Sequence, residues 1–232
     1  MELVPREPLQ AVVAGVERPR ERLRAHGEDA LSNGQLVALV LRTGVRGAPA
    51  ERVAARLLDR FGGLRGIERA GLAELCDVPG VGLAAACELK AAFALGRRAV
   101  LARHERGGVF HTSEDVARYY AAALGALETE VFHVLVLDAR HRRIRDARIS
   151  AGTVNTCPVR PAEAFTAAVR ESAKAVVFVH NHPSGEPQPS AEDRNLTERL
   201  AAAGAMLGVD VLDHVIVCPG GQWFSFADQR LL

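Results

Sequence analysis

His180 and His182 stand one residue apart at the end of an apolar run in AVVFVHNHPSGEPQPSAEDR, and no other side chains in the chain are better spaced for chemistry. In an extended segment, residues i and i+2 point to one side, so both imidazoles can converge on one ion. Asp193 would sit in the first turn of a helix capped by Ser190, facing back toward the strand end. Two imidazoles and a carboxylate make three ligands of the kind zinc accepts, with a fourth tetrahedral position left for water, as in a catalytic site. Zinc lowers the pKa of such a water from about 15.7 to roughly 7 and polarises a carbonyl. A proton acceptor must complete the set. Glu130, opening EVFHVLVLD, is the best placed, with Glu128, Asp138, Glu163 and Glu171 as competitors. A general base contributes on the order of 10²- to 10⁴-fold in rate, so the identity of this carboxylate decides whether the site is active.

Each feature has a plainer counterpart. Ser190-x-x-Asp193 is by itself an adequate capping box, and a His-x-His at a strand end is more often incidental than a ligand pair. Both together, with Pro183, Gly185, Pro187 and Pro189 shaping the loop between them, point to a metal. His214 in LDHVIV could orient a ligand imidazole through its other nitrogen. It could equally be a half-buried histidine bonded to backbone or to Asp213. Cys157 could approach the site through the loop GTVNTC.

The elements that must carry these residues follow from periodicity. VFHVLVLD (131–138), RIRDARIS (143–150), AVVFVH (175–180) and VDVLDHVIV (209–217) read as strands from their β-branched content. PAEAFTAAVRES and SAEDRNLTERLAAAGAML read as helices between them. That mixture makes residues 113–232 a domain of α/β or α+β type. From Pro19 to about Arg103 the apolar residues recur at helical spacing in blocks separated by Gly and Pro, so residues 1–105 read as an all-helical domain. Ser32 and Gln35 form a capping box before LVALVLRTG, where Gly44 can close the helix, and Gly62-Gly63 stops ERVAARLLDRFGG. The charged, glycine-bearing stretch RHERGGVFHT (103–112) marks the boundary.

Composition bounds the function classes. With 48% hydrophobic and 25% charged residues among 232, the chain is neither disordered nor low-complexity. A net charge of +1 gives no global field for nucleic acid or an anionic membrane, although the front half is mildly basic and the back half mildly acidic. Cys76, Cys87, Cys157 and Cys218 are scattered without a C-x-x-C pair, as expected of reduced thiols in a cytoplasmic protein. The expectation is no signal peptide and no membrane span.

H-x-H-P-S-G followed by P-S-x-x-D resembles the JAMM (JAB1/MPN/Mov34) metalloenzyme pattern, and the fuller HNHPSGEPQPSAED with VLDHVIV resembles its RadC branch. RPRERLRAHGEDALSNGQLVALVLRTG and LCDVPGVGLAAACELKAAFALGRR are similar to the RadC N-terminal region, so the likeness runs from about residue 17 onward. It implies a JAMM/MPN-type, cytidine deaminase-like domain holding one Zn2+ per chain on His180, His182 and Asp193. It also implies Ser190 as a donor to the metal-bound water or the developing oxyanion, and Glu130 as the glutamate that takes the water's proton. The implied reaction is amide hydrolysis of a peptide or protein, of peptidase or isopeptidase type, near DNA in repair or replication. One departure is Ala162, in VRPAEAF, where an arginine is expected.

Val78-Pro79-Gly80-Val81-Gly82 resembles a helix-hairpin-helix turn. Gly80 and Gly82 would let backbone amides approach a DNA phosphate, and Lys90, Arg97 and Arg98 could add contacts. The alternatives are that the glycines only allow tight packing, or that the hairpin binds protein. The rival to the enzyme is therefore a non-catalytic DNA- or protein-binding accessory module with a structural metal site. A nuclease is a third reading, which a two-metal site would suit better.

Overall fold

A computed structural model of the chain describes residues 17–42, 48–102, 105, 107–151 and 159–232. Its contacts form two units, residues 1–93 and 94–232.

The described part of the first unit is helical: α1 (Pro19–His26), α2 (Asn33–Leu41), α3 (Ala50–Phe61), α4 (Leu64–Arg69), α5 (Leu72–Cys76) and the beginning of α6 (Leu83–Ala102), which continues into the second unit. The capping box forms as its residues predict: Gln35 N–H donates to Ser32 Oγ at 3.3 Å and Ser32 N–H to Gln35 Oε1 at 2.9 Å. Helix α2 nevertheless ends at Leu41, with Arg42 at φ 61, before the expected stop at Gly44, which lies outside the described residues. Helix α3 ends on Gly62 in the left-handed conformation. Helix α4 carries Gly66 in its middle, and glycine disfavours helix interiors. Packing overrides that preference, since a Cβ on Gly66 would lie 1.7 Å from the Phe61 carbonyl oxygen. Val37, Leu41, Val53, Leu57, Ile67, Leu75 and Leu89 bury together as the core of this unit.

The second unit contains α7 (Ser113–Leu124), β1 (Val131–Leu137), β2 (Arg143–Ala151), α8 (Pro161–Ala164), α9 (Thr166–Arg170), β3 (Ala175–Asn181), α10 (Ala191–Leu207), β4 (Asp210–Val217) and β5 (Trp223–Ser225). The four expected strands are present within a residue or two at each end, and the block PAEAFTAAVRES divides into α8 and α9 at Phe165. Two elements were not read from sequence. One is α7, whose Thr112–Asp115 capping box was the available signal, and the other is β5, three residues long.

The strands form one mixed sheet in the order β2-β1-β3-β4-β5, with β3 parallel to β4 and the other pairs antiparallel. On one face Leu135, Leu137, Val177, Val179, Val215 and Val217 pack with Tyr119 and Tyr120 of α7. On the other Phe132, Val134, Val136, Val176 and Phe178 pack with Phe165 and with Leu200 of α10. Strand β3 is central and covered on both faces, so all seven of its residues are buried. That double burial is why its sequence is continuously apolar rather than alternating. Because β1 runs antiparallel to β3, with Phe132 opposite His180, the start of β1 lies beside the end of β3.

Candidate metal centre

The site forms where β3 leaves the sheet. Position i and i+2 geometry carries through the last residues of the strand, and the rings of His180 and His182 meet with their Nε2 atoms 2.9 Å apart. Behind them the chain turns through Gly185, at φ +87, whose N–H donates to the His182 carbonyl. His182 Nδ1 lies 2.7 Å from the Glu186 carbonyl oxygen. A carbonyl can only accept, so Nδ1 carries the proton and Nε2 faces the site.

Helix α10 supplies the third group. Ser190 is its N-cap: Asp193 N–H donates to Ser190 Oγ at 3.1 Å, and Ser190 N–H returns the bond to Asp193 Oδ2 at 2.8 Å. This box turns the Asp193 carboxylate back over the strand end, as the sequence predicts. Asp193 Oδ1 then lies 3.2 Å from His180 Nε2, and Oδ2 lies 3.5 Å from His182 Nε2. One ligand atom from each of the three residues falls within 4.8 Å of the others, the only such His, Cys, Asp or Glu group among the described residues.

The donor set fits a zinc ion. Bonds of about 2.0–2.1 Å in tetrahedral geometry hold ligand atoms roughly 3.4 Å apart, close to the separations seen here. Two imidazole nitrogens facing each other at 2.9 Å also require a proton or a cation between them. His182 and Asp193 keep 12% and 15% of their side chains accessible against 5% for His180, so the cluster opens to solvent on the side of the first two.

Electrostatics follows from this packing. Burial works to raise the Asp193 pKa, but the bonds from His180, His182 and Ser190 outweigh it and hold the carboxyl far below the usual carboxylate range. Burial works to lower the His182 pKa, yet Asp193, the Glu186 carbonyl and the charge of Glu130 raise it overall. Glu130 precedes β1 directly and is half-buried, and its charge is felt at His182. Of its competitors, Asp138 is engaged by Arg142, Glu163 by Arg160 and Glu171 by Arg145.

Ser190 stands at the edge of the triad. Its hydroxyl donates to Asp193 Oδ2 at 2.6 Å, so a bond to an oxyanion would require it to leave that carboxylate. Cys157 lies outside the described residues. Cys218, beside the His182 backbone, is buried and its thiol is pushed up to about 11, which keeps it protonated.

Around the triad, His214 takes the first of its two expected settings, beside a ligand imidazole, and Thr197 and Asn181 join it without having been singled out in the sequence. The His214 ring has no exposure, and it contacts His180 Nδ1 at 2.8 Å and Thr197 Oγ1 at 2.6 Å, while only its backbone N–H meets Asp213. Burial holds its pKa well below the ordinary value, with the His180 charge adding to the effect. Thr197 stands one helical turn beyond Asp193 and donates to the Asp193 carbonyl oxygen. The spacing of four residues was the signal that could have found it. The Asn181 side chain, buried at 1% exposure, accepts from Val131 N–H at 2.9 Å and donates to the Thr129 carbonyl at 3.1 Å, clasping the backbone on both sides of Glu130.

In the first unit, Gly80 turns the chain between α5 and α6 at φ +101, and a Cβ on Gly82 would meet nothing within 4 Å. Lys90 does not point outward. Its Nζ bonds the carbonyl oxygens of Glu68 and Ala70, the latter at 2.9 Å, where it caps the end of α4.

Residues 110–231 match the family model of the RadC-like JAB domain, and residues 12–87 match that of the UPF0758 N-terminal region. The chain belongs to the RadC family. A UPF0758 protein of Trichlorobacter lovleyi is 46% identical over 219 residues, covering 93% of this chain and 95% of the relative. One from Desulforudis audaxviator is 45% identical over 86% of this chain and 87% of its own length, and one from Clostridioides difficile is 37% identical over 95% and 93%. The RadC-like domain carries the whole triad, its clasp on Glu130 and the His214 contacts. No helix among the described residues of this RadC-family chain is long and apolar enough to cross a membrane.

Proposed function

We propose that this RadC-family protein is a zinc-dependent hydrolase of metallopeptidase or isopeptidase type, acting on a peptide or protein. The observation that carries the reading is the convergence of His180, His182 and Asp193 on one point within reach of the Glu130 charge. His180, His182 and Asp193 would hold the ion, and a zinc bound there would polarise the scissile carbonyl and acidify water. Glu130 takes the proton of the attacking water on a carboxylate oxygen and returns it to the leaving amide nitrogen. The Asn181 clasp keeps that carboxylate beside the triad while β1 stays paired to β3. Ser190 orients Asp193 through its hydroxyl and backbone N–H. The hairpin between α5 and α6 is proposed to bring the enzyme to DNA through the open backbone at Gly80 and Gly82. Binding of a labelled duplex would then weaken with salt at a log–log slope of roughly −2 to −3.

Metal analysis of the purified protein and its variants tests the reading. Wild type and Glu130→Gln should each carry one zinc, and Asp193→Ala should carry none. Cells bearing wild type should release new peptide termini that cells bearing Glu130→Gln do not, and on any such substrate the variant should be slower by about 10²- to 10⁴-fold. Wild-type protein purified without bound transition metal, or Glu130→Gln with undiminished turnover, would overturn it.

A further inference from the structure

From the hydrogen bonds behind the triad we infer that His214 and Thr197 are positioning residues: together they order the protons so that His180 presents its Nε2 lone pair to His182 and Asp193. The order begins at a group with no choice. The Asp193 carbonyl oxygen can only accept, so the bond of 2.6 Å from Thr197 Oγ1 uses that hydroxyl's single proton. Thr197 Oγ1 must then accept from His214 Nδ1, also 2.6 Å away. His214 has no exposed surface and its ring is stacked on Phe226, with centroids 5.0 Å apart at 11°, a setting that disfavours a second proton on the ring. Its Nε2 therefore accepts from His180 Nδ1 at 2.8 Å. His180 is left with its proton on Nδ1 and a lone pair on Nε2.

The reverse order would place two protons on His214 in a fully buried position, or leave the Asp193 carbonyl and Thr197 in contact without a proton between them. Phe132 stacks on His180 with centroids 5.8 Å apart at 14°, so the ring plane is held as well as the proton. The chain of bonds starts on the backbone of Asp193 and ends on His180, and thus ties two of the three ligand residues to one another. His182 obtains the same arrangement from a different carbonyl, that of Glu186. Both rings thus turn Nε2 to the site with Nδ1 already committed to a protein acceptor, which lowers the cost of ordering the site on binding.

This inference rests on the zinc reading of the site, yet one arm of its test does not need the metal. Long-range 15N–1H correlation of imidazole nitrogens in the metal-free protein reads the tautomer of His180 directly. Wild type and Thr197→Ser should show the proton on Nδ1, and Thr197→Val, which keeps the shape and loses the hydroxyl, should show a mixture. The second arm is zinc affinity, measured by competition with a chromophoric chelator. Thr197→Val and His214→Phe should bind zinc about 10- to 100-fold more weakly, while Thr197→Ser and His214→Gln, which keep an acceptor for His180 Nδ1–H, should stay near wild type. A group that served only to fill the core would change the melting temperature of the metal-free protein and leave the tautomer and the rank of affinities untouched. Wild-type His180 protonated on Nε2 overturns the inference. So does a folded Thr197→Val protein that binds zinc as tightly as wild type. If wild type binds no zinc at all, the hydrolase reading fails, and the tautomer measurement still decides this one.

Discussion

Asn181→Ala isolates the clasp on Glu130. The side chain bonds Val131 N–H at 2.9 Å and the Thr129 carbonyl at 3.1 Å, and it is itself 1% exposed. Val131 is 3% exposed, so its N–H is orphaned in the variant, whereas Thr129 is exposed and its carbonyl can turn to water. A buried donor left without a partner costs about 1–3 kcal/mol, and the replaceable bond about 0.5–1.5 kcal/mol, for a sum of roughly 1.5–4.5 kcal/mol. For a unit of this size that lowers the melting temperature by about 10 °C. Metal ligation does not pass through Asn181, because His182 is held by its own N–H bond to the Val217 carbonyl. The variant should therefore melt about 10 °C lower by calorimetry, exchange the Val131 amide hydrogen much faster, and still carry zinc as wild type does. Hydrolysis should fall nearly as far as in Glu130→Gln, since the carboxylate is present but no longer held. Retention of full turnover, or unchanged protection of the Val131 amide, would refute the idea that this clasp places the base.

Two further outcomes follow from other parts of the structure. Without metal, the raised His182 pKa contributes stability that is complete below about pH 6.5 and fades as pH rises through the folded value, while the depressed Asp193 pKa contributes stability that fades below about pH 4. Chelator-treated protein should thus melt highest between those limits, and the rise in melting temperature on adding zinc should be larger at pH 8 than at pH 5.5, because the ion competes with protons. In the first unit, Lys90→Met should destabilise by about 1.5–3 kcal/mol, the range for bonds made by a charged donor. It should leave the salt dependence of DNA binding unchanged, because the ammonium is committed to Glu68 and Ala70; a slope reduced by about 1 would instead put Lys90 on a phosphate.

What the sequence determined is what lies close along the chain. The i, i+2 alternation of a strand brings His180 to His182, and a capping box four residues long turns Asp193 toward them, so these placements need no distant partner. Periodicity likewise located four of the five strands and most helices among the described residues, because burial on a sheet face or along a helix stripe repeats at fixed intervals. Tertiary structure decided what depends on neighbours remote in sequence. The charge of Glu130 is felt at His182 only because β1 lies antiparallel beside β3, an order that the strand patterns leave open. His214 meets His180 because β4 runs parallel to β3, with His214 opposite Phe178, and Thr197 meets His214 only once α10 has packed across that pair. Lys90 looked free for a phosphate because a side chain's exposure is set by what folds over it, and here the end of α4 folds over it. Local geometry is written in spacing, whereas the proton order behind the triad exists only after three separate elements close on a common interior.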